Sequence, residues 1–212
     1  MRFDAVLERL AALPDPLPAP ADVLMPVVIG RDEPRPRGGL PPGRIGRPAA
    51  VLALLYPDDT GDTRVVLIER TVGGHHSGEV SFPGGKAEPG DADMAATALR
   101  EAAEEVGLDA AAAGVRVVGT LDLHWIPVSD FAITPILAVA ERRPVMTAAP
   151  AEVARIVEVP IATFLPDAPI EIVERTIGDW PLRYGAYAVD GLSVWGATAR
   201  ILSQLGAILA EG

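Results

Sequence analysis

The chain has 212 residues, with 29 acidic against 18 basic side chains, a formal charge of -11 and no cysteine. A chain of this length supports one ordinary domain, or a domain with an added terminal element, without covalent staples; disulfides and thiolate metal sites are excluded. The 49% apolar content is globular rather than disordered, and the surplus negative charge opposes binding to a polyphosphate, so nucleic acid is not an expected partner.

Met1 to Leu13 carries Asp4, Glu8 and two arginines where a signal peptide would hold an uninterrupted apolar core. Phe3, Val6, Leu7, Leu10 and Leu13 follow helical spacing, and the Pro-rich stretch Pro14 to Pro20 ends that helix. A Gly/Pro/Arg-rich arm, Gly30 to Arg47, follows. Ala49 to Leu55 and Val65 to Ile68 read as two strands joined by the turn signal Pro57 to Asp62. The first strand is apolar on both faces, which suits a central position. The apolar run Ala49 to Tyr56 is far short of the roughly 18 residues of a membrane span, so a soluble, cytoplasmic protein without a membrane partner is expected.

After a Gly/His loop, Gly73 to Gly78, the run Val80-Ser81-Phe82 leads into Pro83-Gly84-Gly85 and the single lysine of the chain, Lys86. Asp91 to Val106 reads as a helix, with Asp91 as its N-cap and Gly107 as its stop. Strand-like runs recur at Val115 to Leu123, Ile133 to Val139, Ile156 to Val159 and Ile170 to Val173. A closing helix is expected from about Leu192 to Leu209, with Trp195, Ala199, Leu202, Leu205 and Leu209 at helical spacing. These helices and a mixed set of strands point to an α/β or α+β fold.

The helix ending at Val106 carries the chemistry. At about 100° per residue, Glu101, Glu104 and Glu105 fall within roughly a third of a turn of one another, while Ala95, Leu99, Ala102 and Val106 form a separate apolar stripe. Like charges at these spacings repel, and a hard divalent cation such as Mg²⁺ is the natural counter-charge; a solvated acidic face is the alternative. Pro83-Gly84-Gly85, just upstream, lets backbone approach a metal or phosphate closely.

These segments together resemble the Nudix hydrolases. Arg100, Glu101, Ala102, Glu104, Glu105, Gly107 and Leu108 match the second half of that family's signature. In the first half, Asp91 stands where the general family has Glu, and the spacer to Arg100 is one residue longer. Asp with the longer spacer is the form of the coenzyme A diphosphatase branch. The block Arg70-Thr71, His75-His76-Ser77 and Gly78-Glu79-Val80-Ser81-Phe82-Pro83-Gly84-Gly85 is similar to the same branch, with a loop one residue shorter and its expected arginine absent or replaced by His75.

The resemblance implies a mixed β-sheet sandwiched between helices over residues 48–212, with residues 1–47 as an added helix and arm. It implies Mg²⁺ or Mn²⁺ held by Glu101 and Glu105, with Glu104 as third ligand or water-positioning group and the Gly85 carbonyl as a further ligand. Arg100 would orient the carboxylates. The general base comes from the helix or a later loop in this superfamily; Glu152 is the loop candidate, or else a solvent-exposed glutamate. Arg70, His76 and Lys86 are candidates for substrate phosphates, and His124 for packing. Trp195, Tyr184 and Tyr187 would stack on adenine or belong to the core. The implied activity is hydrolysis of coenzyme A or acyl-CoA to 3',5'-ADP and 4'-phosphopantetheine or its acyl form. Another nucleoside diphosphate derivative, such as ADP-ribose or a dinucleotide, and a non-catalytic sensing module are the alternatives. A homodimer is compatible with the family habit.

Overall fold

The computed structural model describes residues 1–30, 40–71 and 78–210. The chain begins with helix α1 (Phe3–Leu10) and a short strand β1 (Val27–Val28), then enters β2 (Arg47–Pro57), β3 (Thr63–Arg70), β4 (Val80–Ser81) and β5 (Gly84–Lys86). Helices α2 (Met94–Val106) and α3 (Ala110–Ala113) lead to β6 (Val115–Thr120), β7 (His124–Ile126), β8 (Phe131–Ala140) and β9 (Val153–Pro160). The last part comprises β10 (Glu171–Ile177), β11 (Trp180–Val189), β12 (Leu192–Val194) and helix α4 (Gly196–Ala210).

The larger sheet runs β4-β3-β2-β8-β6, with β5 also paired to β2, β7 to β8 and β9 to β3. β2 and β8 are parallel, with Leu52 opposite Ile136, whereas β3 and β5 join β2 antiparallel, so the sheet is mixed. Successive residues of a strand point to opposite faces, and in β2 both faces are covered. Leu52, Leu54 and Tyr56 pack with Ala98, Ala102 and Val106 of α2, while Ala53 and Leu55 pack with Leu202, Leu205 and Leu209 of α4 and Val6 and Leu10 of α1. Full burial of each such leucine contributes about 1.5–3 kcal/mol. The sheet lies between helices, as the resemblance implied, and the N-terminal helix shares the α4-side core.

The smaller sheet is β1-β11-β10, with β12 paired to β11. β10 and β11 form a hairpin in which Ile177 faces Trp180, leaving Gly178 and Asp179 as its loop.

Several boundaries differ from expectation. Helix α2 starts at Met94, because the Asp93 carboxylate, not that of Asp91, accepts the Ala96 backbone N–H at 2.8 Å. Leu192 to Val194 is a strand, so the terminal helix begins only at Gly196, and Trp195 precedes it. β11 has no counterpart in the sequence reading. Its outer half is exposed and carries Pro181, and only Tyr184 to Tyr187 is a buried run, so no strict alternation marks it. Among the described residues there are four α-helices, of which the short α3 was not expected. Among them, no helix is long and apolar enough to cross a membrane.

Candidate active site

β4 and β5 bring the glycine turn under α2. The Leu52 N–H donates to the Pro83 carbonyl at 2.8 Å, and β5 then pairs Val51 with Gly84 and Ala50 with Gly85. Gly84 has φ +154°, and a Cβ on it would sit 2.4 Å from the Ala50 carbonyl oxygen. A Cβ on Gly85 would lie 2.6 Å from the carboxylate carbon and both oxygens of Glu101. Backbone and carboxylate therefore meet at a distance only glycine permits.

The three helix glutamates, alike by spacing, occupy different environments. Glu105 is 2% exposed and accepts from the Gly84 N–H at 2.8 Å and from Arg70 Nη1 at 3.1 Å. Burial pushes its carboxyl up to about 7; the Gly84 N–H and Arg70 oppose the shift, and the charges of Glu101 and Glu152 reinforce it. Glu101 is also raised, first by burial, with Arg100 opposing and the charges of Glu104 and Glu152 adding. Glu104 is 60% exposed and meets Arg100 Nη1 at 3.2 Å.

Arg100 organises this face. Its Nη1 donates to Glu101 Oε1 at 3.0 Å as well as to Glu104, and its Nη2 donates to the Lys86 carbonyl at 3.0 Å. Its Nε and Nη2 grip Asp91 at 3.0 and 3.1 Å. That fork holds the Asp91 carboxyl well below the usual carboxylate range, helped by the Glu88 N–H and the Thr97 hydroxyl. Asp91 is thus the anchor of Arg100, a role that the N-cap expectation missed; its only sequence signal is an acid nine residues before the arginine.

The loop carrying Glu152 docks on the end of α2. The N–H groups of Thr147 and Ala149 donate to the carbonyls of Val106 and Glu105 at 2.8 and 2.9 Å, satisfying helix-end acceptors, and the Thr71 N–H donates to the Glu152 carbonyl at 3.0 Å. Glu152 is exposed, and its charge reaches both Glu101 and Glu105. Arg70, expected on substrate phosphate, has its guanidinium on Glu105. Lys86 is exposed, with Nζ 3.9 Å from Glu88. His75 and His76 lie outside the described residues. His124 is buried in the fold, with both ring nitrogens lacking a hydrogen-bond partner among the described residues.

Glu101, Glu104, Glu105 and Glu152 offer only oxygen donors, they repel one another, and the bare Gly85 backbone packs directly against the Glu101 carboxylate. That donor set fits a hard divalent cation. Among the described residues no three acidic or histidine side chains are grouped as a metal-holding set, and Arg100 and Arg70 hold the glutamates by their oxygens.

A family model described as NUDIX domain matches residues 46–168, more than half of the chain. The chain belongs to the Nudix family. Nudix hydrolase 22, chloroplastic, of Arabidopsis thaliana is 36% identical over 171 residues, covering 76% of this chain and 55% of that protein. The uncharacterized Nudix hydrolase NudL of Photorhabdus laumondii is 35% identical over 133 residues, covering 61% of this chain and 68% of its own. Among solved structures, the Nudix hydrolase RenU from M. smegmatis aligns with a TM-score of 0.47 and 24% identity over 55% of this chain and 72% of that one. The chain spans just over half the length of the Arabidopsis relatives it matches. Nudix hydrolases generally need divalent metal ions such as Mg²⁺ or Mn²⁺. Every described residue of the carboxylate site lies inside the Nudix match, whereas β10 to β12 and α4 lie beyond it.

Proposed function

We propose that the chain hydrolyses the diphosphate bond of coenzyme A or acyl-CoA, releasing 3',5'-ADP and 4'-phosphopantetheine or its acyl form, with Mg²⁺ or Mn²⁺ as cofactor. The observation that carries the hydrolytic reading is the buried Glu105 on the Gly84 N–H, beside Glu101 against the bare Gly85 backbone. Burying one carboxylate and crowding a second is costly, and Arg70 and Arg100 offset only part of that cost, since both carboxyls stay raised beside them. The substrate assignment is supported by the Asp91 form of the signature and by the Gly78 to Gly85 block.

Glu101, Glu104, Glu105 and the Gly85 carbonyl would hold the cation, which when bound supplies Lewis-acid polarisation of phosphate oxygens and an activated water. The remaining work falls to the chain's own side chains. Arg70 positions Glu105, and Asp91 positions Arg100, which in turn positions Glu101 and Glu104. Glu152 accepts a proton from the attacking water, since it is exposed on a docked loop and its charge reaches the buried Glu105 and the half-buried Glu101. Lys86, directly after the glycines, neutralises substrate phosphate. Residues 48–212 form the catalytic unit, and residues 1–47 are an addition to it whose helix α1 packs on the α4 side of the core.

The test is a panel of coenzyme A, acetyl-CoA, ADP-ribose and dinucleoside diphosphates incubated with the full chain and Mg²⁺ or Mn²⁺, with products identified. Coenzyme A is expected to give 3',5'-ADP at the highest kcat/KM. A higher kcat/KM for ADP-ribose or a dinucleotide refutes the substrate, and no hydrolysis of any member refutes the activity.

A further inference from the structure

Beside the carboxylate site lies a second concavity of about 520 Å³, within the size range of small-molecule sites. Its walls come from the β10–β11 hairpin, from Ser193 of β12 and from Gly78 and Glu79, which lead into β4. Two aromatic rings line it: Tyr184, buried on β11, and Trp195, half-buried between β12 and α4, stacked with centroids 4.7 Å apart and planes 28° from parallel.

The backbone ties this cleft to the carboxylates. The Arg70 N–H donates to the Glu79 carbonyl at 3.0 Å and the Gly78 N–H donates to the Arg70 carbonyl at 3.1 Å, while the Arg70 guanidinium holds Glu105. One residue thus has its main chain bonded to the wall of the cleft and its side chain on the site. The cleft is assembled from both sides of the family boundary, since Gly78 and Glu79 fall inside the Nudix match and the hairpin, Ser193 and Trp195 fall beyond it. Shared chemistry on one side and an added wall on the other is the arrangement expected of an element that selects the substrate.

We propose that this cleft binds the nucleobase end of the substrate, stacked on the Trp195–Tyr184 pair; the inference rests on the diphosphate activity proposed above. Charge and chemistry choose this end. The lining carries Arg175 against Glu79 and Glu171, so there is no surplus positive charge for a phosphate. Glutamate and the hydroxyl of Ser193 suit the donors and acceptors on the edge of a neutral base, whereas an alkyl or acyl chain would leave those polar groups facing apolar surface. A planar heterocycle satisfies both walls, with its face on the rings and its edge on the polar groups.

The test uses the full chain with Trp125→Phe and Trp180→Phe, so that Trp195 is the remaining fluorophore among the three tryptophans. Without metal, it is titrated with AMP, ribose 5-phosphate and pantetheine. AMP is expected to quench Trp195 saturably, and the other two are not. By calorimetry on otherwise unaltered chain, Trp195→Ala weakens AMP binding about tenfold or more, and Trp195→Phe, which keeps a stacking ring, by less than about threefold. Absence of a saturable AMP response, an equal response to ribose 5-phosphate, or preference for pantetheine overturns the proposal, as does an unchanged AMP affinity in Trp195→Ala. The titration needs no turnover. Quenching by AMP in a chain that hydrolyses no diphosphate upholds the cleft and refutes the hydrolase reading, while hydrolysis without quenching refutes the cleft alone.

Discussion

His124 is set to make the fold acid-labile by an amount that follows from its burial. It is 2% exposed on β7, both ring nitrogens lack a partner among the described residues, and Arg200 adds a nearby positive charge. Burial, then Arg200, pushes its imidazole down from 6.5 to about 3. The unfolded chain therefore binds a proton that the folded chain refuses. The folded pKa is depressed, so stability from this residue is complete above 6.5 and falls as the pH drops through 6.5 toward 3. At about pH 5 the unfolded imidazole is almost fully protonated and the folded one neutral, which costs about 2 kcal/mol relative to about pH 7.5. That figure depends on the unfolded value and hardly on the folded one, provided the latter stays well below 5. The perturbation is His124→Leu, and the assay is urea unfolding of parent and variant at both pH values. Titrations elsewhere, including that of Glu105, are common to both chains and cancel in the comparison. The stability of the variant relative to the parent should rise by about 2 kcal/mol on going to pH 5. A relative stability that is the same at both pH values would refute a neutral, buried His124.

Glu105→Gln should abolish turnover while leaving the fold intact, because the amide oxygen still accepts from the Gly84 N–H; hydrolysis near the parental rate would contradict the site. Gly85→Ala should lower kcat/KM about a hundredfold, since its Cβ would lie 2.6 Å from the Glu101 carboxylate and must displace it; circular dichroism and kinetics together separate this from unfolding. Glu152→Gln should lower kcat about a hundredfold or more with KM little changed, because a positioned general base contributes about 10²–10⁴-fold. A kcat near the parental value in that variant assigns the base elsewhere.

The elements legible in the sequence were those whose pattern is local. Strand β2 declared itself as central because it is apolar on both faces, and both are covered, by α2 and by α4 with α1. β11 went unread because its buried run, Tyr184 to Tyr187, is short and its other half is exposed; the local signal present was the two-residue Gly178-Asp179 loop of its hairpin with β10. The misplaced helix start has a different origin. Asp91 and Asp93 are equivalent cap candidates by type, and Asp91 is drawn away by Arg100, nine residues on.

Spacing along one helix was enough to place Glu101, Glu104 and Glu105 on a common face, and composition was enough to exclude thiolate ligands for any metal there. Those are properties of a 3.6-residue period and of side-chain inventory, which need no tertiary contact. Only the folded chain made the three glutamates unequal. Glu105 is buried because β5 and Arg70 close over it, Glu101 abuts Gly85, and Glu104 stays in solvent. Folding also brought in Glu152, through a loop that caps α2, and the Trp195–Tyr184 cleft, from strands a hundred residues downstream of the glycine turn. Burial and charge coupling act through space, so the distinct roles of identical residues are decided by what packs against each of them.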